Sequence, residues 1–333
     1  MVGVKSPEVE RKVLAILKII NESHEPVGAR VISRRLNDYG VNLTERAVRY
    51  HLKLTDEQGL TRLVGWDGRL VTERGIEEIS NALVWDKVEL LHDRIETQAL
   101  RTTFDWKIKA GLVPVNVSFF PKEGFKEALV AMAPAFVSGF GIGNRVVVKG
   151  EGEQIGEFTV PQGKVGFGTA GSILLNGVLL KSAIPVDSHF SGLLQIRDRK
   201  PLRFIELIHY GGSSLDPNEI FIRGRMTSVT QAAGQGNGYI LASFHEVPAV
   251  CGATVEQAVN GLKGAGLGMV LATGHNAETL CGVTVGLNKI GLILADGLNP
   301  VAAAEETGIT AEKKALSTVI DYKAFVIFDS LLM

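Results

Sequence analysis

Wound as a helix at about 100° per residue, residues 44–60 put Val48, Leu52 and Thr55 on one face and Arg46, Arg49, Tyr50 and Lys53 on the opposite arc. Three cations and a phenol on one arc suit the major groove of DNA. Phosphates attract the cations, and base edges accept hydrogen bonds from guanidinium and ammonium groups. A lone basic helix is by default a solvated face, so its neighbours decide.

Those neighbours predict a winged helix-turn-helix. Ser6, Pro7 and Glu8 form a helix start: a Ser cap, Pro at the first helical position and an acid near the positive end. Val9, Val13, Leu17 and Ile20 recur at helical spacing, and residues 26–28 (Pro-Val-Gly) break the chain. Ala29, Ile32 and Leu36 give a short second helix that turns Arg30, Arg34 and Arg35 outward. Residues 38–40 make the turn, Thr44 caps the third helix, and Gly59 with Leu60 ends it. Residues 61–64 and 69–71 then flank Gly-Trp-Asp-Gly, the pattern of a hairpin. Trp66 at its tip and Arg62 and Arg69 on its arms stand within reach of a phosphate or the minor groove.

The 333 residues suggest two or three domains. The overall net charge of −1 says nothing for nucleic acid, but residues 28–70 carry eight Lys or Arg against five Asp or Glu, a local excess of three. Two cysteines, Cys251 and Cys281, supply neither a disulfide framework nor a metal quartet. They fit buried thiols of a cytoplasmic protein. The charged, amphipathic start is no signal peptide, and no apolar run approaches the length of a membrane span.

Beyond the hairpin, residues 72–82 predict a closing helix. Val84, Val88, Leu91 and Ile95 then follow at heptad-like spacing. This seam either packs on the helix-turn-helix core, the simpler expectation, or pairs two chains. From residue 100 the chain is Gly-rich and apolar with irregular alternation of helix and strand, which predicts an α+β domain. Expected strands include residues 112–119, 145–149, 202–209, 219–222, 239–244 and 268–272, with a pair at 282–285 and 289–294 and another strand at 325–328. A helix opened by residues 121–124 and running through 133, and another over 255–263, are expected; residues 178–186 read as strand or helix. The predicted organisation is a DNA-binding domain over 1–83, a linker helix over 84–99 and an effector-binding and oligomerisation domain over 100–333.

Three motifs in this second part invite chemistry. Residues 166–171 match G-x-G-x-x-G, with Asp187 downstream. No buried strand precedes the run, and the turn pair Asn176-Gly177 interrupts the helix that should follow. A nest of backbone N–H groups for another anion fits better than a dinucleotide site. Asp187, Ser188 and His189 are adjacent, and adjacent residues of an extended chain point to opposite faces, so they form no catalytic relay. His209, His245 and His275 lack metal-ligand spacing, and the acids Asp216 and Glu219 lie in a turn-forming run that suits caps. The absence of an obvious catalytic set favours a sensor over an enzyme, with no cofactor or metal.

Several runs resemble the regulatory domain of the NrpR repressors, which control nitrogen-assimilation genes in methanogenic archaea. They are residues 111–116, 166–169 with 176–180, 184–188 with 192–194, 210–217 with 219–222, 236–244 and 296–306. They keep a consistent order behind a winged helix, as in that family. The resemblance implies a homo-oligomeric repressor, a dimer or dimer of dimers, on a palindromic double-stranded operator. It also implies that 2-oxoglutarate binds the regulatory domain and releases DNA. Where family members often carry a cysteine, this chain has Ala170-Gly171-Ser172. A dicarboxylate needs cations or N–H donors, with hydroxyls or amides for a keto oxygen. Thr169, Ser172, Ser188, His189, Arg203, Arg223, Ser243 and His245 are the candidates near the matching loops. Two rivals remain: an enzyme with an appended nucleic-acid-binding domain, and a protein-interaction module.

Overall fold

The computed structural model describes residues 7–23, 25–38, 41–81 and 91–332. The chain divides into two compact units, Met1–Glu89 and Leu90–Met333.

In the first unit, helices α1 (Pro7–Ser23), α2 (Ala29–Asp38) and α3 (Glu45–Glu57) precede a hairpin of β1 (Thr61–Val64) and β2 (Gly68–Val71), and α4 (Glu73–Asn81) closes it. The apolar positions that recur at helical spacing are the ones buried. Ile16, Ile19, Ile20, Val27, Ile32, Leu36, Val48 and Leu52 form one core, and Val13, Leu17 and Leu60 a smaller one. Thr44 caps α3, its side chain accepting from the Ala47 N–H at 3.2 Å. The wing is tied to the segment before α2: Val27 and Arg69 exchange both backbone hydrogen bonds, at 3.0 and 3.1 Å. Glycine is required there, because a Cβ on Gly68 would lie 2.3 Å from the Val27 carbonyl carbon. Ser6, Tyr39, Gly40, Val84 and Val88 lie outside the described residues.

The second unit opens with α5 (Leu91–Arg101), so the described part of the expected linker helix extends to 101. Its Leu91 and Ile95 are buried with Ile173, Tyr210 and Leu316, which places these two seam residues in the core of the second unit rather than that of the helix-turn-helix. The rest is a duplication. β3 (Leu112–Pro121), α6 (Phe125–Val137), β4 (Arg145–Lys149), β5 (Gln154–Ile155), β6 (Phe158–Thr159), β7 (Lys164–Ala170), α7 (Leu174–Leu180) and β8 (Asp187–Arg197) form the first copy. β9 (Lys200–His209), α8 (Pro217–Arg223) and α9 (Val229–Gln235) intervene. The second copy is β10 (Gly238–Pro248), α10 (Gly252–Gly264), β11 (Val270–His275), β12 (Thr279–Leu280), β13 (Val283–Thr284), β14 (Lys289–Ala295), α11 (Asn299–Glu306) and β15 (Glu312–Asp321), followed by β16 (Val326–Ile327).

The two copies exchange their last strands. One sheet runs β11-β14-β10-β8-β9 and the other β15-β3-β7-β4-β16, so β8 completes the second copy's sheet and β15 the first's. Registers match: Val115 opposes Ala170 in one sheet as Ala242 opposes Ala295 in the other. The glycine loops at 139–143 and 264–268 also meet, with Gly143 N donating to Gly268 O at 2.8 Å. A Cβ on Gly143 would fall 1.8 Å from the Gly266 oxygen.

Four expectations are corrected. Asn176 and Gly177 do not interrupt the helix after the glycine run but lie within α7. Residues 219–222 are helical, because Asp216 accepts from the N–H groups of Asn218 and Glu219 and Pro217 fixes the first helical position. β13 pairs with β12, not β14. Residues 166–169 lie within β7, hydrogen-bonded to β3 on one side and β4 on the other, so their backbone forms no anion nest.

Candidate functional site

On α3, Val48, His51, Leu52 and Thr55 are buried while Arg46, Arg49, Tyr50 and Lys53 are exposed, Tyr50 to 63%. Arg49 pairs with Glu45, and Lys53 with Glu57 at 3.9 Å. Both are exposed i, i+4 pairs, worth little and easily surrendered to phosphate. Among the described residues Arg34, Arg46 and Arg62 have no ion-pair partner; Arg34 and Arg62 are exposed and Arg35 is half-buried. Trp66 is fully exposed at the wing tip.

Arg69 is the exception among the expected readers. Its Nε donates to Asp56 Oδ2 at 2.8 Å, while Asp56 Oδ1 accepts from Thr61 Oγ1 at 2.6 Å. Asp56 thus fastens the wing to α3, and Arg69 is largely withdrawn from solvent. His51 was not anticipated. Burial first, and then the charge of Lys12, push its imidazole below the usual histidine range, so it belongs to the core.

In the second unit, strand register gathers Ser188, Ser243 and His245. Asn176 Nδ2 donates to Ser188 Oγ at 2.8 Å, and Ser188 meets His245 Nδ1 at 2.9 Å. His245 Nε2 meets Ser243 Oγ at 2.9 Å, so a neutral ring donates to one of the two serines and accepts from the other. Ser191 and Ser243 lie beside the buried Tyr210 phenol. Ser191 continues to Asn218 Oδ1, and Asn218 Nδ2 donates to Asp296 Oδ2 at 2.9 Å.

This buried chain carries perturbed acidities. Burial, then Asp296 and Glu219, push Asp216 up to about 7; burial pushes Asp296 up to about 6. Burial and the nearby Asp216 and Asp296 push the Tyr210 phenol up as well. His245 is pushed down to about 3, by burial and then by His189. Ser188 and His245 have the contact of a nucleophile and its base, but so depressed a ring is a poor proton acceptor. The arrangement is suited to holding strands in place rather than to moving protons.

The other candidates are dispersed. Thr169 is buried in β7 with its hydroxyl unpartnered, and Ser172 is buried in the turn after it. His189 Nε2 meets Glu246 Oε2 at 2.9 Å. Arg203 lies exposed on β9 and donates to Gln195 Oε1 at 3.2 Å. Arg223, at the end of α8, faces Glu219 at 3.4 Å and lines a cleft of about 650 Å³ with Arg225, Thr227, Thr310 and Lys313. Lys313 is already buried against Glu305. Arg225, which the sequence reading passed over, adds a second exposed guanidinium; its position beyond a capped helix was the available signal. Among the described residues no group of three or more His, Cys, Asp or Glu is arranged to hold a metal, and no helix is long and apolar enough to cross a membrane.

Residues 88–326 match the family model of NrpR regulatory domains NRD1 and 2, and residues 14–79 match that of the ribonuclease R winged-helix domain. The chain is 38% identical to the global nitrogen regulator NrpRI of Methanosarcina mazei, over 95% of this chain and 98% of that protein. It is 31% identical to the global nitrogen regulator NrpR of Methanocaldococcus jannaschii and 30% identical to that of Methanococcus maripaludis, over 94% and 92% of this chain. It spans about half of those two relatives, 54% and 53% of their lengths. A solved nitrogen repressor-like protein from Methanococcus jannaschii superposes with a TM-score of 0.62 at 25% identity, covering 72% of this chain and 99% of that one.

Proposed function

The chain belongs to the NrpR family of global nitrogen regulators, and we propose that it is a repressor that grips its operator through α3 and releases it when a small dicarboxylate binds the second unit. One observation carries the DNA half: Arg46, Arg49, Tyr50 and Lys53 are exposed together on a capped helix whose opposite face is buried. The cations hold phosphates, and Arg46 and Arg49 offer donors to base edges. Arg34 and Arg35 on α2, and Arg62 and Trp66 on the wing, extend the contact. Two copies on a palindrome would set their α3 helices one turn of DNA apart, about 34–36 Å.

The dicarboxylate is 2-oxoglutarate, an assignment that rests on the family. Its chemistry finds support in the cleft lined by Arg223 and Arg225 with the hydroxyl-bearing Thr227 and Thr310, where the two lining carboxylates are already engaged, Glu305 by Lys313 and Glu306 by the N–H groups of Val229 and Thr230. Arg–carboxylate pairs are strong and geometrically selective. The ligand releases DNA to the extent that it prefers the DNA-incompetent state; equal affinity for both states would shift nothing.

Gel shift of the full chain on the DNA upstream of nitrogen-assimilation genes tests both halves. The expected result is a complex that 2-oxoglutarate weakens, and that the R223A/R225A double variant retains in its presence. Absence of any complex at low salt removes the DNA reading. A complex indifferent to 2-oxoglutarate removes the effector.

A further inference from the structure

A cavity that neither the operator reading nor the arginine cleft uses lies where the glycine loops of the two copies meet. The loop after α6 (residues 138–144) and the loop after α10 (residues 265–269) wall a space of about 610 Å³. Each loop leaves its helix through a glycine in the left-handed region, Gly139 at φ +72° and Gly266 at φ +75°. The apolar part of the wall is Phe136, Val259, Met269 and Ile327. The charged part is Arg145, at the start of β4, and Lys263, in the last turn of α10. None of the lining residues is Asp or Glu.

No acid offsets these two cations. Among the described residues neither has a carboxylate within ion-pairing distance; the Arg145 guanidinium carbon instead stands 5.1 Å from the centre of the Tyr322 ring. Tyr322 is buried, and its hydroxyl donates to the Ala265 oxygen at 2.7 Å. The ring under Arg145 is thus fixed to the second loop, and the guanidinium is held in place before any ligand arrives. A Cβ on Gly266 would lie 3.2 Å from Arg145 Cγ, and one on Gly268 would lie 3.3 Å from Lys263 Cγ. Glycine at these two positions lets the loop run close along both cationic stems. The ends of α6 and α10 do not cancel the charge. Each brings about half a negative charge, against two full positive ones. Their carbonyls at Pro134, Ala135 and Phe136, and at Gly261, Leu262 and Lys263, are moreover already taken by N–H groups of residues 138–140 and 265–267.

We propose that this cavity is a second small-molecule site, taking a monocarboxylate on an apolar body. The planar carboxylate pairs with the fork of Arg145, and Lys263 adds a point charge. The body lies against Phe136, Met269 and Ile327. The arginine cleft differs in kind: its wall carries Glu305, Glu306 and two threonine hydroxyls, which suits a polar ligand charged at both ends. The volume falls in the middle of the range for ligand pockets, about 300–1,000 Å³, with room for one aromatic ring on a short chain. The site does not rest on the operator reading or on the dicarboxylate, since binding is read on the protein alone.

Isothermal titration calorimetry of the full chain tests it with 3-phenylpropionate, its neutral amide 3-phenylpropionamide, and acetate. The expected result is saturable binding of 3-phenylpropionate. The amide, which lacks the charge, binds about tenfold more weakly or less, and acetate, which lacks the body, about tenfold more weakly or less. Arg145→Gln weakens 3-phenylpropionate about tenfold, and Lys263→Gln, at an exposed position, about threefold. Gly264→Trp fills the space without touching either cation. Gly264 lines the cavity, its φ is ordinary, and a Cβ there meets nothing within 4 Å, so this variant folds and covers the case in which Arg145→Gln does not. No saturable binding of 3-phenylpropionate, equal binding of the amide or of acetate, or binding unchanged by Lys263→Gln or by Gly264→Trp would each overturn the proposal.

Discussion

Arg94 of α5 donates through Nη2 to the main-chain oxygen of Ala315 at 2.6 Å, at the irregularity where β15 shifts register between Lys314 and Thr318. The N–H of the same Ala315 donates to Glu219 Oε1 at 2.9 Å, and Glu219 Oε2 faces Arg223 at 3.4 Å. One strand residue therefore links the first described helix after the unit boundary to the arginine cleft. A dicarboxylate that drew Arg223 away from Glu219 would act on this link. Arg94→Ala is expected to lower stability by about 1–2 kcal/mol, since it strips a charged donor from a part-buried carbonyl. It should also blunt the response of DNA binding to 2-oxoglutarate. Urea denaturation and effector titration in a gel shift read the two effects; an unaltered response would remove Arg94 from the coupling.

Arg69 separates a structural cation from a reading one. Because it fastens β2 to Asp56, Arg69→Ala is expected to destabilise the first unit by about 1–2 kcal/mol and leave the salt dependence of DNA binding unchanged. A direct phosphate contact would instead lower the slope of log K against log salt by about one. Denaturation and fluorescence anisotropy across a salt series distinguish the two.

The buried acids give stability a pH dependence. Asp216 is raised to about 7 and Asp296 to about 6, above the unfolded carboxylate range. In that interval the folded chain binds more protons than the unfolded one, so this contribution is fully present below about pH 4 and is lost as pH rises through 6 to 7. His245 acts in the opposite sense. Its folded value of about 3 makes its contribution present above about 6.5 and lost as pH falls toward 3. Asp216→Asn keeps a side chain able to cap α8 but cannot ionise. The variant is expected to gain stability relative to the parent as pH rises from 5 to 8. Thermal melts of both proteins across that range check the sign; a constant difference would contradict it.

The winged helix was legible because its signals are local. Thr44, Gly59 and the Gly-bounded hairpin tip each act within a few residues, and the apolar spacing of α1 to α3 is regular. The duplication leaves only a thin trace in the sequence: Glu153, Thr159, Val160, Lys164, Gly166 and Ala170 recur 125 residues on as Glu278, Thr284, Val285, Lys289, Gly291 and Ala295, while most other positions differ. Asn116 of β3, paired opposite Thr169, stands where β10 has Ser243, opposite Leu294, so the polar positions of one copy do not recur in the other. Residues 219–222 misled for a related reason. Ile-Phe-Ile suits a strand by propensity, yet the cap at Asp216 and the proline after it outweigh that preference. Residues 166–169 look like a phosphate loop from their glycines, but Gly166 and Gly168 leave room for Val160 and Val115 within a packed sheet. The buried polar chain from Asn176 to Asp296 joins residues far apart in sequence, and only strand exchange brings them together.

The proposed reading of DNA through the exposed arc of α3 is tested at Arg46, because among the described residues no protein partner holds its guanidinium. The measurement is fluorescence anisotropy of the full chain on operator DNA and on a scrambled duplex, comparing the parent with Arg46→Ala at several salt concentrations. The account predicts a loss of about tenfold or more on the operator, with folding unchanged by circular dichroism. Equal operator affinity for parent and variant, or equal affinity of the parent for operator and scrambled DNA, would contradict it.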